Sequence, residues 1–548
     1  MTETGAGEAG RTTAGPATPA PGAEGVYLGL DLGTSGLKGV ALAASGAVLA
    51  RGSAAYPMRR PAAGACEQDP AAWLRATESV TDQISSVVPA SRWRGIGLSG
   101  MIPTLVTIGA DAQPAGPAVI WQDSRADALG EELRETCGGD WLYRLTGQWV
   151  DGRYLLPMFS QLAVREPARA AATVALASAK DYLFSWLTGE LVTDPSTATG
   201  FGCYELASGR WNDRVRSAAA ALTPSEAGAR GGSPGQLPPG QLPPGQVAPG
   251  QVAPGHVAPA LPAVRPSAYC RPLRPAVAER LGCGPIPVCL GAADSVLGAL
   301  GLGVREPGQI AYIAGTSNVI LGVTSDLVLD PEHRFLVTPL AEPGRFGAEM
   351  DLLATGSSIS WLADLLGGGL DAAGLVALAA RTDPAAAPVV LPFLSPGEQG
   401  ALWDPRLHGA VVGLSLAHGR EHLARGLVTG IILESRRCLA VLDETGGSGR
   451  ELAVAGGSAS DPGFRADLAD ATRRRVWMPG DDDTDYSARG AALLAARAIG
   501  GSWPAQRPAE LGGSGVAEPD EDRARVWDQL WATHESARRA IARHHHGH

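Results

Sequence analysis

Two short apolar runs, Val26–Leu30 and Leu37–Leu42, flank a polar stretch, Asp31-Leu32-Gly33-Thr34-Ser35-Gly36. Apolar strands around a tight glycine turn predict a hairpin. A third run, Ala47–Arg51, extends it after a Ser45-Gly46 turn. The period then changes: Asp69 supplies an N-cap, Pro70 a first helical residue, and Trp73, Val80, Ile84 and Val87 recur at helical spacing. Another apolar run, Gly95–Leu98, ends in Ser99-Gly100. The theme returns in the second half as Ile310–Ala314, then Gly315-Thr316-Ser317, then Val319–Val323. A Gly-Thr-Ser tip on an apolar hairpin thus occurs twice, which points to two related α/β lobes. A further glycine cluster, Gly456-Gly457-Ser458-Ala459, follows strand Glu451–Ala455 and leads into a helix through Leu468.

Between the halves, Pro234 to Ala258 is a pentapeptide repeat in which each unit carries Pro-Gly and a single Leu or Val. That is too little apolar surface to offset chain entropy. Glycine every five residues, not three, excludes a collagen helix. The expected division is a disordered tail (1–24), a first lobe (25–230), a low-complexity insertion (231–262), a second lobe (263–503) and a C-terminal tail (504–548). Within that tail, Glu521–Arg543 reads as a helix before a histidine-rich end.

Composition narrows the classes. Glycine (72) and proline (42) make up about a fifth of the 548 residues, close to a low-complexity level. A net charge of −11 argues against a nucleic-acid binder that works by neutralising phosphates. No run approaches the ~18 apolar residues that span a bilayer, and Met1–Glu24 lacks the apolar core of a secretory signal. Seven cysteines without CxxC spacing point to a reducing cytoplasm rather than to disulfides or zinc. Only two of 45 basic residues are lysine, Lys38 and Lys180. Lys180 opens a helix with Leu183, Phe184 and Leu187 on its apolar face and reads as structural, pairing with Asp181 or tying down a neighbouring loop.

The hairpin tips carry the chemistry. Glycine-flanked backbone N–H groups and hydroxyls can wrap phosphate oxygens, although ordinary β-turns look the same. Two tips, one per lobe, would grip a polyphosphate between them. Asp31 before the first tip suits Mg²⁺, and Lys38 beyond it would complement phosphate. No Walker A loop is present. Asp294 stands after the apolar run Pro287–Leu290 and before Ser295-Val296-Leu297, either as an N-cap or as a catalytic group at a sheet's carboxyl edge. In Trp121-Gln122-Asp123-Ser124-Arg125, the Asp and Arg can pair, cap the next helix or bind polyol hydroxyls. The triplet Asp481–Asp483 reads as a solvated loop.

In their order along the chain, these segments resemble the FGGY carbohydrate kinases of the actin/hexokinase/Hsp70-like ATPase superfamily. GLDLGTSGLKGVAL resembles the first phosphate motif, GLSGMIPTLV and IWQDSRA the sugar-side segments, and GAADSVLGALGLG the catalytic-base segment. YIAGTSN resembles the second phosphate motif and AVAGGSASDPGF the adenosine motif. The resemblance spans about Tyr27 to Ile499. It implies two duplicated actin-like (ribonuclease H-like) lobes with an ATP/sugar cleft between them. It also implies ATP and Mg²⁺, with Asp294 as general base and Asp31 at the metal. Gly33, Thr34, Ser35, Lys38, Gly315, Thr316 and Ser317 would surround the phosphates, and Gly356, Gly457 and Asp461 would belong to the nucleotide site. Ile102, Pro103, Trp121, Asp123, Arg125 and Ser295 would face the sugar.

The subgroup that looks nearest is the xylulokinases, with two departures. Those enzymes read Ser-Gly-Gln-Met-His-Gly where this chain has Ser99-Gly100-Met101-Ile102-Pro103-Thr104, so Pro103 replaces a histidine. Their Asp-Asn pair is Asp294-Ser295 here. The Arg-Glu pair of glycerol kinases is absent from the same loop. D-xylulose is therefore the first expectation. Another ketopentose, polyol or sugar acid is the alternative, as is a catalytically silent sugar or nucleotide sensor. A chaperone-like or filament-forming ATPase would leave the sugar-side segments unexplained. The expected partner is a small sugar or polyol, with no nucleic acid or membrane, and a homodimer is left open.

Overall fold

The first hairpin forms where its pattern places it. In the computed structural model, which describes residues 25–222, 258–395, 400–404, 407–445, 449–479, 485–501 and 515–546, β1 (Val26–Leu32) pairs antiparallel with β2 (Gly36–Ala43), setting Asp31 opposite Lys38. The expectations for residues 1–24, for the repeat through 257 and for Asp481–Asp483 lie outside the described residues. β3 (Val48–Ala55) continues antiparallel to β2, and β4 (Trp93–Gly100) runs parallel to β1. Helix α1 (Pro70–Val87) begins with the Asp69 carboxylate accepting from the Ala71 amide. It buries Trp73, Val80 and Ile84, while Val87, expected on that face, is exposed.

Two further strands complete this sheet, β5 (Cys270–Pro272) and β6 (Pro287–Ala293), in the order β5-β6-β4-β1-β2-β3. Both follow residue 263, where the second lobe was expected to begin, so that boundary is corrected. After the repeat the chain returns to the first sheet, where apolar β6 is buried beside β4. It leaves through α3 (Asp294–Gly301).

The second sheet combines β7 (Ile310–Ala314), β8 (Asn318–Thr324), β9 (Leu336–Pro339), β10 (Phe346–Leu352), β11 (Glu451–Gly456), β12 (Arg475–Trp477) and β13 (Val516–Ala517), ordered β9-β10-β8-β7-β11-β12-β13. In each sheet the tip-bearing hairpin has two parallel strands on one side, β4 and β6 or β11 and β12. On the other side it has an antiparallel strand, β3 or β10. This common core is the duplication that the two Gly-Thr-Ser hairpins announced.

Helix α2 (Ala179–Thr188) buries Leu183, Phe184 and Leu187 together with Lys180. Helices α4 (Gly356–Leu366), α5 (Arg420–Glu444) and α6 (Pro462–Thr472) clothe the second sheet. Helix α7 (Tyr486–Ala498) packs against α3 and lies on β1 and β4. The approach is so close that a Cβ at Gly29 would fall 1.7 Å from the Ala488 carbonyl oxygen. Only glycine permits that contact. Helix α8 (Glu521–His546) forms as expected, but it is not a tail. Trp527 and His534 on it are buried, and His534 meets Glu434 of α5 at 2.8 Å. All seven cysteines are free, and no helix among the described residues is long and apolar enough to cross a membrane.

Candidate active site

The two tips face one another across a cavity of about 270 Å³. Thr34 enters from the first tip and Gly315, Thr316 and Ser317 from the second. Ile102, Pro103, Trp121, Asp294 and Ser295 line the same space. Nine residues singled out from sequence thus converge on one cleft. The first tip is held from behind: Trp121 Nε1 donates to Thr34 Oγ1 at 3.0 Å, Gln68 Nε2 to the Thr34 carbonyl at 2.6 Å, and the Tyr56 hydroxyl to the Gly33 carbonyl. Ser35 is exposed at its crest.

Asp294 is the first residue of α3, at the carboxyl end of β6. Its Oδ1 accepts from the Ser295 amide at 2.9 Å, and Ser196 Oγ accepts from the Ala293 amide at 2.9 Å, fixing the strand end. Burial pushes the Asp294 carboxyl well above the usual range, and Asp31 adds to the shift. Asp31 is buried on β1, where Ser99 Oγ donates to it at 2.6 Å. Burial and then Asp485 push it up to about 7, against that hydrogen bond and Lys38. These are carboxyl groups whose environment favours holding or taking a proton.

Several expected residues lie elsewhere. Lys38 does not line the cavity: its ammonium meets Asp485 at 3.1 Å, and Asp485 caps α7 through the Ala488 amide. Asp123 and Arg125 also lie outside the cavity that holds Asp294. Asp123 accepts from the Cys66 amide at 2.7 Å and from Arg125, which reaches Glu67 at 2.8 Å. Of the readings open for this pair, ion pairing is the one observed. Asp461 is the N-cap of α6, accepting from the Phe464 amide at 2.9 Å. Gly356 and Gly457 flank the second tip instead. A Cβ at Gly356 would lie 2.1 Å from the Gly315 carbonyl oxygen, whereas Gly457, whose amide donates to Ala314, faces open space.

Sequence reasoning missed the far wall. Glu349 and Asp351 reach the cavity from β10, and Arg153 and Tyr154 from the first lobe. The signal was available: in Phe346–Leu352 the acids alternate with Ala348, Met350 and Leu352, which enter the core.

Comparison with known proteins fits this geometry. Models of the FGGY family of carbohydrate kinases match residues 26–225 (N-terminal domain) and 310–499 (C-terminal domain). The chain belongs to the FGGY family of carbohydrate kinases. As such a kinase it phosphorylates a sugar or polyol at the expense of ATP. The kinase is 27% identical over 471 residues to the xylulose kinase of Escherichia coli, covering 86% of this chain and 89% of that one. It is 24% identical over 487 residues to the gluconokinase of Bacillus subtilis, covering 86% and 87%. A crystal structure of xylulose kinase from Rhodospirillum rubrum superposes with a TM-score of 0.77 at 26% identity, covering 95% of this chain and 100% of that one.

Proposed function

We propose that Asp294 is the general base of this kinase and that its acceptor is a small sugar, D-xylulose first among candidates. The observation that carries the reading is a carboxyl at the end of β6, in the same cavity as both phosphate-type tips, and burial raises it above its usual range. Asp294 takes the proton from the acceptor hydroxyl, whose oxygen attacks the terminal phosphorus of ATP as the bond to ADP breaks. Amides and hydroxyls of Thr34, Thr316 and Ser317 bind the phosphates about Gly315, while Gly356 and Gly457 leave room for the nucleoside to approach the backbone. Trp121 packs at the sugar and steadies Thr34.

Asp31 fits a divalent ion of the Mg²⁺ type. It is a hard oxygen donor, held in place by Ser99 and facing the charges of Asp485 and Asp294, whose repulsion a cation would relieve. Bound there, Mg²⁺ would screen phosphate charge. The xylulose kinases among the relatives support D-xylulose, while Pro103, which lacks a histidine's ring donor, favours an acceptor with fewer polar anchors on that side.

The test is Asp294→Asn assayed by ADP release with D-xylulose, other ketopentoses and polyols. Turnover should fall about 10²–10⁴-fold while ATP binding is retained. Undiminished turnover would remove Asp294 as the base. A folded wild type that binds ATP but turns over none of these acceptors would favour the sensor reading.

A further inference from the structure

The lining of the cavity carries information about substrate charge that kinship does not, since relatives of similar identity are named for a ketose and for a sugar acid. Along β10 the side chains alternate: Ala348, Met350 and Leu352 enter the core, while Glu349 and Asp351 point into the cleft. Glu349 is 7% exposed and accepts from Thr338 Oγ1 at 2.6 Å. The hydroxyl of Ser295, the neighbour of Asp294, also hydrogen-bonds to it. Three carboxyl groups, Asp294, Glu349 and Asp351, therefore line the cavity with a single cationic side chain, Arg153. That guanidinium is already engaged, its Nε donating to both carboxylate oxygens of Asp151 at 3.1 and 3.0 Å.

We propose that this cavity accepts an uncharged polyhydroxylated substrate and rejects its carboxylated counterpart, with Glu349 and Asp351 imposing the choice. The inference rests on the reading of this cavity as the sugar site. A substrate hydroxyl is a donor, and the carboxylates offer lone pairs to receive it. A substrate carboxylate has no hydrogen to give, and burial already raises Glu349, so a second anion beside it in a confined space would be disfavoured further, with Asp151 competing for the one guanidinium.

The experiment compares paired acceptors of one carbon skeleton, xylitol with xylonate and glucitol with gluconate, alongside D-xylulose. The full chain is assayed for ADP release as wild type, Glu349→Gln and Asp351→Asn. Wild type should favour the neutral member by at least about tenfold in kcat/KM, and each substitution should shrink that ratio at least about threefold. A merely structural effect lowers both members of a pair alike, so an unmoved ratio in folded variants overturns the proposal. Should Glu349→Gln fail to fold, the more exposed Asp351→Asn carries the same expectation. A wild-type ratio at or below one overturns the charge selection and leaves the kinase reading standing. No turnover of any acceptor by folded, ATP-binding wild type overturns both.

Discussion

Replacing Lys180 with Met tests how far Asp294, the proposed base, depends on its buried surroundings. The ammonium is wholly inaccessible and meets Asp181 at 2.9 Å and Asp194 at 3.1 Å. Methionine fills much of the same space without the charge, so two buried carboxyl groups lose their counter-ion. Removing one partner of a buried ion pair costs about 3–5 kcal/mol, a large share of a domain's total of about 5–15 kcal/mol. The disturbance has a path to the chemistry: Asp194 accepts from Ser196 Oγ at 2.5 Å, and that oxygen accepts from the Ala293 amide, one residue before Asp294.

The pH dependence has a definite sign. Burial raises the Asp181 carboxyl and Lys180 pulls it back, so without the lysine it rises further. An acid whose folded value lies above its unfolded value holds more protons when folded, so stability falls as pH rises. The loss in Lys180→Met should thus be largest near pH 7.5 and smaller at pH 5.5, and adding Asp181→Asn should recover part of it. Urea denaturation at both pH values reads stability, and kcat at saturating substrates reads the placement of the base. A loss below about 1 kcal/mol at pH 7.5, or an equal loss at both pH values, would refute the argument.

Two further outcomes follow from local geometry. Burial alone would raise Glu434, but Arg437 and His534 hold it down to about 2. A depressed acid stabilises fully above its unfolded value near 4.5 and loses that contribution, about 3 kcal/mol here, as pH falls towards 2. Glu434→Gln should flatten the urea midpoint between pH 5 and 2.5 and lower it at pH 7. Gly457 has helical φ and ψ, with nothing within 4 Å of where a Cβ would stand. Gly457→Ala should therefore keep or raise stability by about 0.4–1 kcal/mol, yet weaken ATP binding measured by calorimetry, because the methyl would stand on the side of the turn proposed for the nucleoside.

What was legible in the sequence was local. The hairpins, the Asp69 cap and the ends of β7 follow from short-range pattern, and motif order placed Asp294 and both tips in one cleft. What failed was long-range or context-dependent. Nothing near Pro287 says that its strand will lie beside Trp93–Gly100, because the partner is set during folding by long-range burial that no local pattern encodes. Residue type left Asp123 and Arg125 open as an ion pair, a helix cap or polyol ligands, and the structure shows the pair, with Arg125 also on Glu67, while Lys38 meets Asp485. Glu349 and Asp351 were overlooked because a resemblance directs attention to its own motifs, while a two-residue alternation of acids marks a cleft-facing strand without any.

The return of the chain to its first sheet after the repeat bears on how this protein tolerates change in its own gene. The segment between Leu222 and Ala258 joins two points that the fold already fixes, since Ala260 bridges to Ala175 and Ala263 pairs with Val192. Closing a connection between fixed ends costs free energy that grows only with the logarithm of its length, so even a doubling adds about 0.6 kcal/mol. Five-residue units can accordingly be gained or lost there at little thermodynamic cost. A cut at the same place would leave Asp294 on one piece and the β1–β4 core on the other, joined only by non-covalent contacts such as the pairing of β6 with β4.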